Sequence, residues 1–180
     1  MAASIYDFTS NFSGGGARAN RYEVILTFPN GIGSVREAQK ISFTCRSASI
    51  PASTLGQAPA YYKGRQIKLP GDKEWDDWTI NVYVDSDFVA RKVFERWHEN
   101  LLSFRENVTA PGWQSPIRGL ATAQVNQLDR EDKVIASYTV EGIWPTSIGE
   151  IALAYDSNDT IMEQTVTFAI NGWRNNLAKS

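Results

Sequence analysis

The chain has 180 residues, of which 42% are hydrophobic and 12% are aromatic. This length and composition suit one domain that buries roughly two-thirds of its unfolded surface, and they exclude disorder caused by low hydrophobicity and high charge. The net charge of −2 gives no support to tight nucleic-acid binding through a basic surface. The single cysteine, Cys45, excludes an intrachain disulfide and a Cys-rich zinc site.

Charge is distributed unevenly along the chain. Residues 1–70 contain eight Lys or Arg and three acidic residues, a net charge of +5, so the remainder carries −7. A basic front portion and an acidic remainder suit head-to-tail association, in which the basic region of one subunit meets the acidic region of its neighbour. Neutralisation of the two portions within one subunit is the alternative that the sequence leaves open.

Residues 1–19 are predicted to form a flexible arm, because three consecutive glycines, Gly14 to Gly16, lie near its end. The arm has neither a basic start nor a continuous apolar run, so we expect neither a secretory signal nor a membrane anchor. We expect one β domain over residues 20–174 and a short C-terminal tail over residues 175–180.

Strand patterns begin after the arm. Apolar residues occupy every second position of residues 21–28, which predicts a half-buried strand. A turn follows at residues 29–31. Ile41, Phe43 and Cys45 then alternate with polar residues, which predicts a second strand and a long-looped hairpin.

The middle of the chain contains an irregular stretch, a strand and a helix. Residues 47–64 are rich in small residues and include two prolines, so we expect an extended excursion there, not a core strand. Residues 75–84 alternate clearly, with Trp78, Ile80 and Val82 predicted to be buried. The only helix is predicted at about residues 87–104. Its predicted features are an N-cap at Asp85 or Ser86, an Arg91–Glu95 pair, and an apolar stripe of Val89, Val93, Phe94, Trp97, Leu101 and Phe104.

The last third of the chain again consists of strands. Residues 119–129 and 133–143 are predicted to form a hairpin, and Trp144-Pro145 is predicted to end its second strand. A short strand is expected at 150–155 and a final one through Val166, Phe168 and Ile170. Many strands and one helix indicate a mainly antiparallel β-sandwich or partly closed barrel with one flanking α-helix.

The sequence offers little catalytic chemistry. His98 is the single histidine and lies on a predicted helix flank, so neither a triad nor a multi-histidine metal site is expected. Asp76 and Asp77 are adjacent on a strand pattern and point to opposite faces, so they cannot act together on one substrate. Three tryptophans, Trp75, Trp78 and Trp113, could form a sugar-stacking or base-stacking platform, although Trp78 fits the core better. We expect no enzyme activity and no cofactor.

Three blocks of this sequence resemble the tail tube proteins of contractile-tail bacteriophages. They are GIWPTSIGEIALAYDSNDTIMEQTVTFAINGW from Gly142 to Trp173, GDKEWDDWTINVYVDSDF from Gly71 to Phe88, and ISFTCRSASIPA from Ile41 to Ala52. The blocks follow the order of that family and span most of the chain. The resemblance implies the tail-tube fold, which is shared with the type VI secretion tube protein, and stacked hexameric rings that conduct DNA inside a contractile sheath.

The resemblance also implies roles for particular residues. A projecting loop at about 47–64 is expected to contact the next ring, and exposed acidic residues are expected to receive it. The loop residues are Arg46, Ile50, Pro51, Leu55, Tyr61, Lys63, Arg65 and Lys68, and the acidic receivers are Asp76, Asp156 and Asp159. Small polar residues on the outward strand faces suit a channel wall that does not bind DNA: Thr79, Asn81, Ser137, Thr139, Glu141, Thr165 and Thr167.

The resemblance implies several partners: other copies of the chain, the tail sheath protein, a baseplate tube initiator, and a tape measure protein and genomic DNA in the channel. It implies no insertion of the chain into a membrane. The implied location is the virion tail, after assembly in the bacterial cytoplasm. A baseplate initiator or a secretion-type tube subunit is the nearest alternative. A carbohydrate-binding β-sandwich that uses exposed tryptophans is a remote one.

Overall fold

The computed structural model describes residues 4–11, 16–111, 115 and 117–177. Trp113 and most of the glycine run that precedes the first strand therefore lie outside the described residues. Within the predicted N-terminal arm, residues 5–11 form a short helix with no buried residue. The elements are α1 (Ile5–Asn11), β1 (Tyr22–Thr27), α2 (Val35–Thr44), β2 (Cys45–Ala48), β3 (Ser53–Tyr62), β4 (Arg65–Trp75), β5 (Trp78–Tyr83), α3 (Val89–Leu101), β6 (Ala121–Leu128), β7 (Val134–Ile148), β8 (Glu163–Ala169) and β9 (Gly172–Asn175).

Seven of the strands form one antiparallel sheet, in the order β1-β6-β7-β8-β5-β2, with β9 pairing beside β7. The predicted alternation is confirmed most clearly on β5, where Trp78, Ile80 and Val82 are fully buried. On β8, Val166 and Phe168 are buried in the same way. The mainly β, antiparallel class predicted from the sequence is therefore confirmed. Among the described strands, backbone pairing does not close the sheet into a complete barrel.

Strand β7 belongs to both halves of the sheet. Up to Glu141 it pairs with β6 and β9, Ile143 still lies opposite Ala121 of β6, and from Trp144 onward it pairs with β8. Gly142 has a positive φ of 65° and lies against Asn171, whose backbone N–H donates to the Glu141 carbonyl over 3.1 Å. Strands that bend in this way allow one sheet to fold over its own core. The prediction that Trp144-Pro145 ends the strand is wrong, because Pro145 pairs opposite Phe168.

Helix α2 corrects the prediction of a single helix. The alternation of Ile41 and Phe43 predicts a strand, but both lie on a helix that begins with a capping box, in which Ser34 and Glu37 exchange hydrogen bonds. Only Ile41 is buried on this helix, and Phe43 is 89% exposed. The apparent alternation arose because one core residue was flanked by an exposed aromatic one.

The same helix lies between the two edge strands of the sheet. The Ser42 hydroxyl donates to the backbone carbonyl of Val24 on β1, and the Tyr22 hydroxyl donates to backbone carbonyls of Cys45, over 3.2 Å, and Arg46 on β2. These contacts use part of the hydrogen-bonding capacity that an edge strand exposes. The two edges are thus bridged by a helix and side chains, and the fold is a partly closed sandwich.

Helix α3 begins and ends inside its predicted range. Phe88 precedes it in a left-handed conformation, and the Asp85 carboxylate accepts a hydrogen bond from the Val89 N–H over 3.1 Å. Val93, Phe94 and Trp97 are fully buried, as the stripe predicted. Phe104 lies beyond the helix end and is 92% exposed, so its assignment to the stripe is wrong.

Two other local predictions are corrected by the structure. Residues 150–155 form no strand, and the chain from 149 to 162 is an exposed loop. The stretch from Trp75 to Val84 is not one strand, because Trp75 ends β4 and β5 begins at Trp78.

Candidate assembly surfaces

Strands β3 and β4 form a hairpin that no other described strand joins. They pair from Ser53 opposite Trp75 at the base to Tyr62 opposite Arg65 at the tip. Lys63 and Gly64 make the turn with positive φ angles of 46° and 80°, which is typical of a two-residue hairpin. Every residue from 54 to 70 is exposed, so this hairpin extends away from the core.

The hairpin carries both positive charge and apolar surface. Its basic residues Lys63, Arg65 and Lys68 form no ion pair within the described part of the chain. The exposed apolar side chains are Leu55, Tyr61, Tyr62, Ile67 and Leu69. Exposed apolar and basic side chains together on a hairpin that leaves the core are typical of a segment that binds another protein.

The hairpin overlaps the projecting loop predicted at about residues 47–64, but its range is residues 53–75. Arg46 lies outside it on β2 and forms an ion pair with Glu163, and Pro51 is buried. Neither residue is part of the projecting surface. The second arm was missed, although the Lys63-Gly64 turn between two alternating runs is a hairpin signal that could have revealed it.

The three predicted acidic receivers, Asp76, Asp156 and Asp159, are all exposed. Asp76 lies in the two-residue link between β4 and β5, and the other two lie in the 149–162 loop. That loop also exposes Leu153 and Tyr155 almost completely. Within the described residues no ion pair joins these acids to the hairpin, so any pairing between the two surfaces has to occur between subunits.

Four of the predicted channel residues form one polar face on β5 and β8. Thr79 lies opposite Thr167 and Asn81 lies opposite Thr165 in the strand register. The two threonine hydroxyls of the first pair are 3.3 Å apart, and the Thr165 hydroxyl donates to Asn81 Oδ1 over 2.6 Å. The face continues onto β2, where Ser47 Oγ accepts from Asn81 Nδ2 over 2.8 Å. These five residues are uncharged, and the Arg46–Glu163 ion pair lies at the end of the same face, where Glu163 pairs opposite Tyr83.

The other three predicted channel residues lie on β7 before Gly142, beside β6 and β9. Gln124 Nε2 donates to the Ser137 hydroxyl over 2.8 Å, and Glu141 forms an ion pair of 2.8 Å with Arg174 on β9. Thr139 is exposed between them. The structure therefore divides the seven residues into two groups, separated by the bend at Gly142.

The outer side of α3 carries a groove of about 720 Å³ lined mainly by charged residues. The lining residues are Arg91, Lys92, Glu95, Arg96, His98, Glu99 and Ile148. Arg91 forms the predicted ion pair with Glu95 and also donates to the Gly149 carbonyl over 2.7 Å. The groove lies on the helix side of the core, whereas the polar strand faces lie on the opposite side of the sheet.

The residues that could support catalysis are dispersed. His98 is exposed on α3, and burial raises the pKa of the Cys45 thiol to about 11, so that thiol stays protonated at neutral pH. Among the described residues no group of three His, Cys, Asp or Glu side chains could hold a metal ion. Trp78 is buried, which removes it from the stacking platform considered above.

None of the helices in the described ranges is long and apolar enough to cross a membrane.

The fold is shared with chains in solved structures of contractile injection systems. A chain in the baseplate structure of the anti-feeding prophage is similar to this chain, with a TM-score of 0.65 and 14% identity. The similarity covers 89% of this chain and 95% of that one. A chain in the extended sheath–tube complex of the extracellular contractile injection system PVC gives a TM-score of 0.59 and 13% identity over 97% of this chain and 98% of that one.

Sequence similarity then gives the family. The phage tail tube protein family matches residues 17–176. Tail tube protein gp19 of Enterobacteria phage T4 is 31% identical over 93% of this chain and 97% of its own length. The tail tube protein of Serratia phage KSP90 is 23% identical over 91% of this chain and 92% of its own length. This chain belongs to the phage tail tube protein family, which confirms the resemblance drawn from the sequence. It is a structural component of a contractile phage tail.

Proposed function

We propose that six copies of this chain form a ring and that the rings stack head to tail into the tube through which the genome leaves the virion. The observation that best supports stacking of the rings is the separate β3–β4 hairpin. It exposes a basic and apolar surface that its own subunit does not cover, and the acidic loops offer a complementary charge. Two different surfaces that fit each other are what a head-to-tail stack requires.

The polar strand faces are proposed to line the channel in this assembly. A wall rich in Lys or Arg would hold DNA through phosphate contacts, whereas threonine and asparagine side chains bonded to one another offer no such charge. The β5–β8 group fits this role better than the β7 group, because its four residues are uncharged and bond to one another in pairs, whereas the β7 group includes Glu141 itself, paired with Arg174. In this arrangement α3 lies on the far side of the core from the channel, and its charged groove faces the tail sheath.

Introducing positive charge on the β5–β8 face tests the proposed channel wall. The double change Thr79→Lys and Thr165→Lys in the phage is expected to leave tails of normal length but to slow DNA ejection at least several-fold, because lysines contact phosphates. The measurement is the rate of DNA release after adsorption, with tail length taken from electron micrographs.

The matched control is Thr79→Gln and Thr165→Gln, which adds similar bulk without charge. Thr139→Lys tests the β7 group separately and is expected to have the smaller effect. Unchanged ejection from both lysine variants would contradict a channel wall made by either face.

The proposal gives the chain a structural role without catalysis or a cofactor. It includes the baseplate tube initiator as the nucleus of assembly, the tape measure protein as an occupant of the channel before ejection, and the host cytoplasm as the place of assembly. Membership of the tail tube family and a match that spans nearly all of the T4 relative support a tube subunit over an initiator.

A further inference from the structure

The base of the β3–β4 hairpin rests on a column of three aromatic rings. Tyr138 on β7 packs edge-on against Trp173 on β9, with ring centroids 5.7 Å apart. Trp173 in turn packs edge-on against Trp75, the last residue of β4, at 5.6 Å. The column therefore joins the hairpin to the seven-stranded sheet.

Trp173 contacts both arms of the hairpin. Its indole Nε1 donates to the carbonyl of Ala52, the residue before β3, over 3.1 Å. On the other arm, the Lys73 ammonium lies 4.2 Å from the Trp75 ring centroid and 5.5 Å from that of Trp173. A cation over an aromatic face at these distances is attracted to it. The first residue pair of the hairpin, Ser53 and Trp75, thus lies beside one indole.

An isolated two-stranded hairpin is only marginally stable in water. Strands β3 and β4 have no hydrogen-bonded neighbour in the main sheet, and residues 54–70 are all exposed. The direction in which the hairpin points therefore depends on contacts at its base. There Trp173 bonds to the residue before β3 and packs against the last residue of β4.

We propose that Trp173 is a positioning residue that fixes the direction of the hairpin in the free subunit, with Trp75 and Lys73 as its partners. The inference rests on the proposed function, since a fixed hairpin assists stacking. Binding costs less free energy when the contacting segment is already ordered, so a subunit with a fixed hairpin adds to a tube at a lower concentration.

The first experiment measures the hairpin direction in unassembled subunits. Spin labels are attached to Gln66→Cys at the hairpin tip and His98→Cys on α3, in a Cys45→Ser background, and their distance distribution is recorded by electron spin resonance. A narrow distribution is expected for the parent protein. Trp173→Leu is expected to widen it at least twofold, and Trp173→Phe, which keeps ring packing, is expected to widen it less.

Trp144→Leu is the matched control for this experiment, because it makes the same change on β7 beyond Gly142. It is expected to leave the distribution narrow. Circular dichroism checks that each variant keeps its strands. A folded Trp173→Leu subunit with the parent distribution would overturn the proposal, as would a parent protein whose hairpin is already broadly distributed.

The second experiment measures tube assembly by the same variants without labels. The concentration at which tubes form is expected to rise at least tenfold for Trp173→Leu and to recover in large part for Trp173→Phe. A wide distance distribution together with unchanged tube assembly would overturn the assembly role of Trp173. A parent protein that forms no tubes even with its baseplate nucleus would contradict the proposed function, while the distance measurement would still decide whether Trp173 fixes the hairpin.

Discussion

Reversing the charge at the hairpin tip, with Lys63→Glu and Arg65→Glu together, is expected to yield folded subunits that do not extend tubes. Both residues are exposed and form no ion pair within the described part of the chain, so the change removes no ion pair inside the subunit. It does remove the Lys63 ammonium from the exposed Tyr62 ring, whose centroid lies 5.5 Å away, and such a contact is weak at an exposed site. Between subunits it would place two carboxylates near the proposed acidic receivers Asp156 and Asp159. Like charges brought together at an interface cost several kcal/mol.

The measurement is tube length and the soluble fraction after assembly, by electron microscopy and sedimentation. A loss of extension of at least a hundredfold is expected, since about 3 kcal/mol corresponds to more than that factor. The matched control is Arg36→Glu with Arg105→Glu, which changes the net charge equally at two exposed arginines away from the hairpin. Tubes of normal length from the tip variant would refute the role given to the hairpin.

Replacing Gly142 by alanine is expected to cause the largest loss of stability among single changes at glycine. Gly142 has a φ of 65°, which disfavours a side chain, and an added Cβ would lie 2.4 Å from Asn171 Nδ2. The backbone strain costs about 1 kcal/mol and the overlap costs about 1–3 kcal/mol. The free energy of unfolding should therefore fall by about 2–4 kcal/mol in denaturant titrations.

Gly64→Ala provides the control for this prediction. Gly64 has a φ of 80°, but a Cβ there would meet no atom within 4 Å. Its substitution should cost only the backbone strain of about 1 kcal/mol. Equal losses in the two variants would show that the bend in β7 does not need the close approach of Gly142 and Asn171.

The regular strands were predictable because the alternation of their side chains reflects one buried face. The alternating patterns of residues 21–28 and 75–84 predicted the burial of Val24 and Ile80 correctly, because a half-buried strand buries every second side chain. Helix α2 was missed because Ile41 is its only buried residue, so no helical stripe formed. The Ser34–Glu37 capping box was the signal that could have identified it.

The bend in β7 and the strand β9 depend on contacts that sequence patterns do not record. A glycine at position 142 permits a positive φ, but the sequence does not show that the strand bends there and then continues. The structure shows both, through the contact of Gly142 with Asn171 and the pairing of β7 with β8. Strand β9 is only four residues long. It is stabilised by pairing with residues 138–141 of β7, next to the segment of β7 that pairs with β8. Gln164 on β8 was not predictable either. It is fully buried at a position where an apolar residue is expected, and its amide has no hydrogen-bond partner among the described residues.

The exposure of the candidate surfaces was predictable in part. The basic tip residues and the acidic loop were located from their charge, and the structure places both groups on the exterior, which is compatible with the assembly role proposed for them. The second arm of the hairpin, the contact of Trp173 with its base and the charged groove on α3 all involve residues that are distant in the sequence. Such surfaces become visible only when the strand register and the helix packing are known.

The most direct test of the proposed ring assembly is cryo-electron microscopy. It is applied to tails from intact virions and to the purified chain assembled on its baseplate nucleus. The account predicts a hollow tube of stacked six-subunit rings, in which the β3–β4 hairpin contacts the next ring and the β5–β8 face borders the channel, with α3 turned toward the sheath. A tube wall built from a different polypeptide, or a purified chain that stays monomeric beside its nucleus, would contradict it.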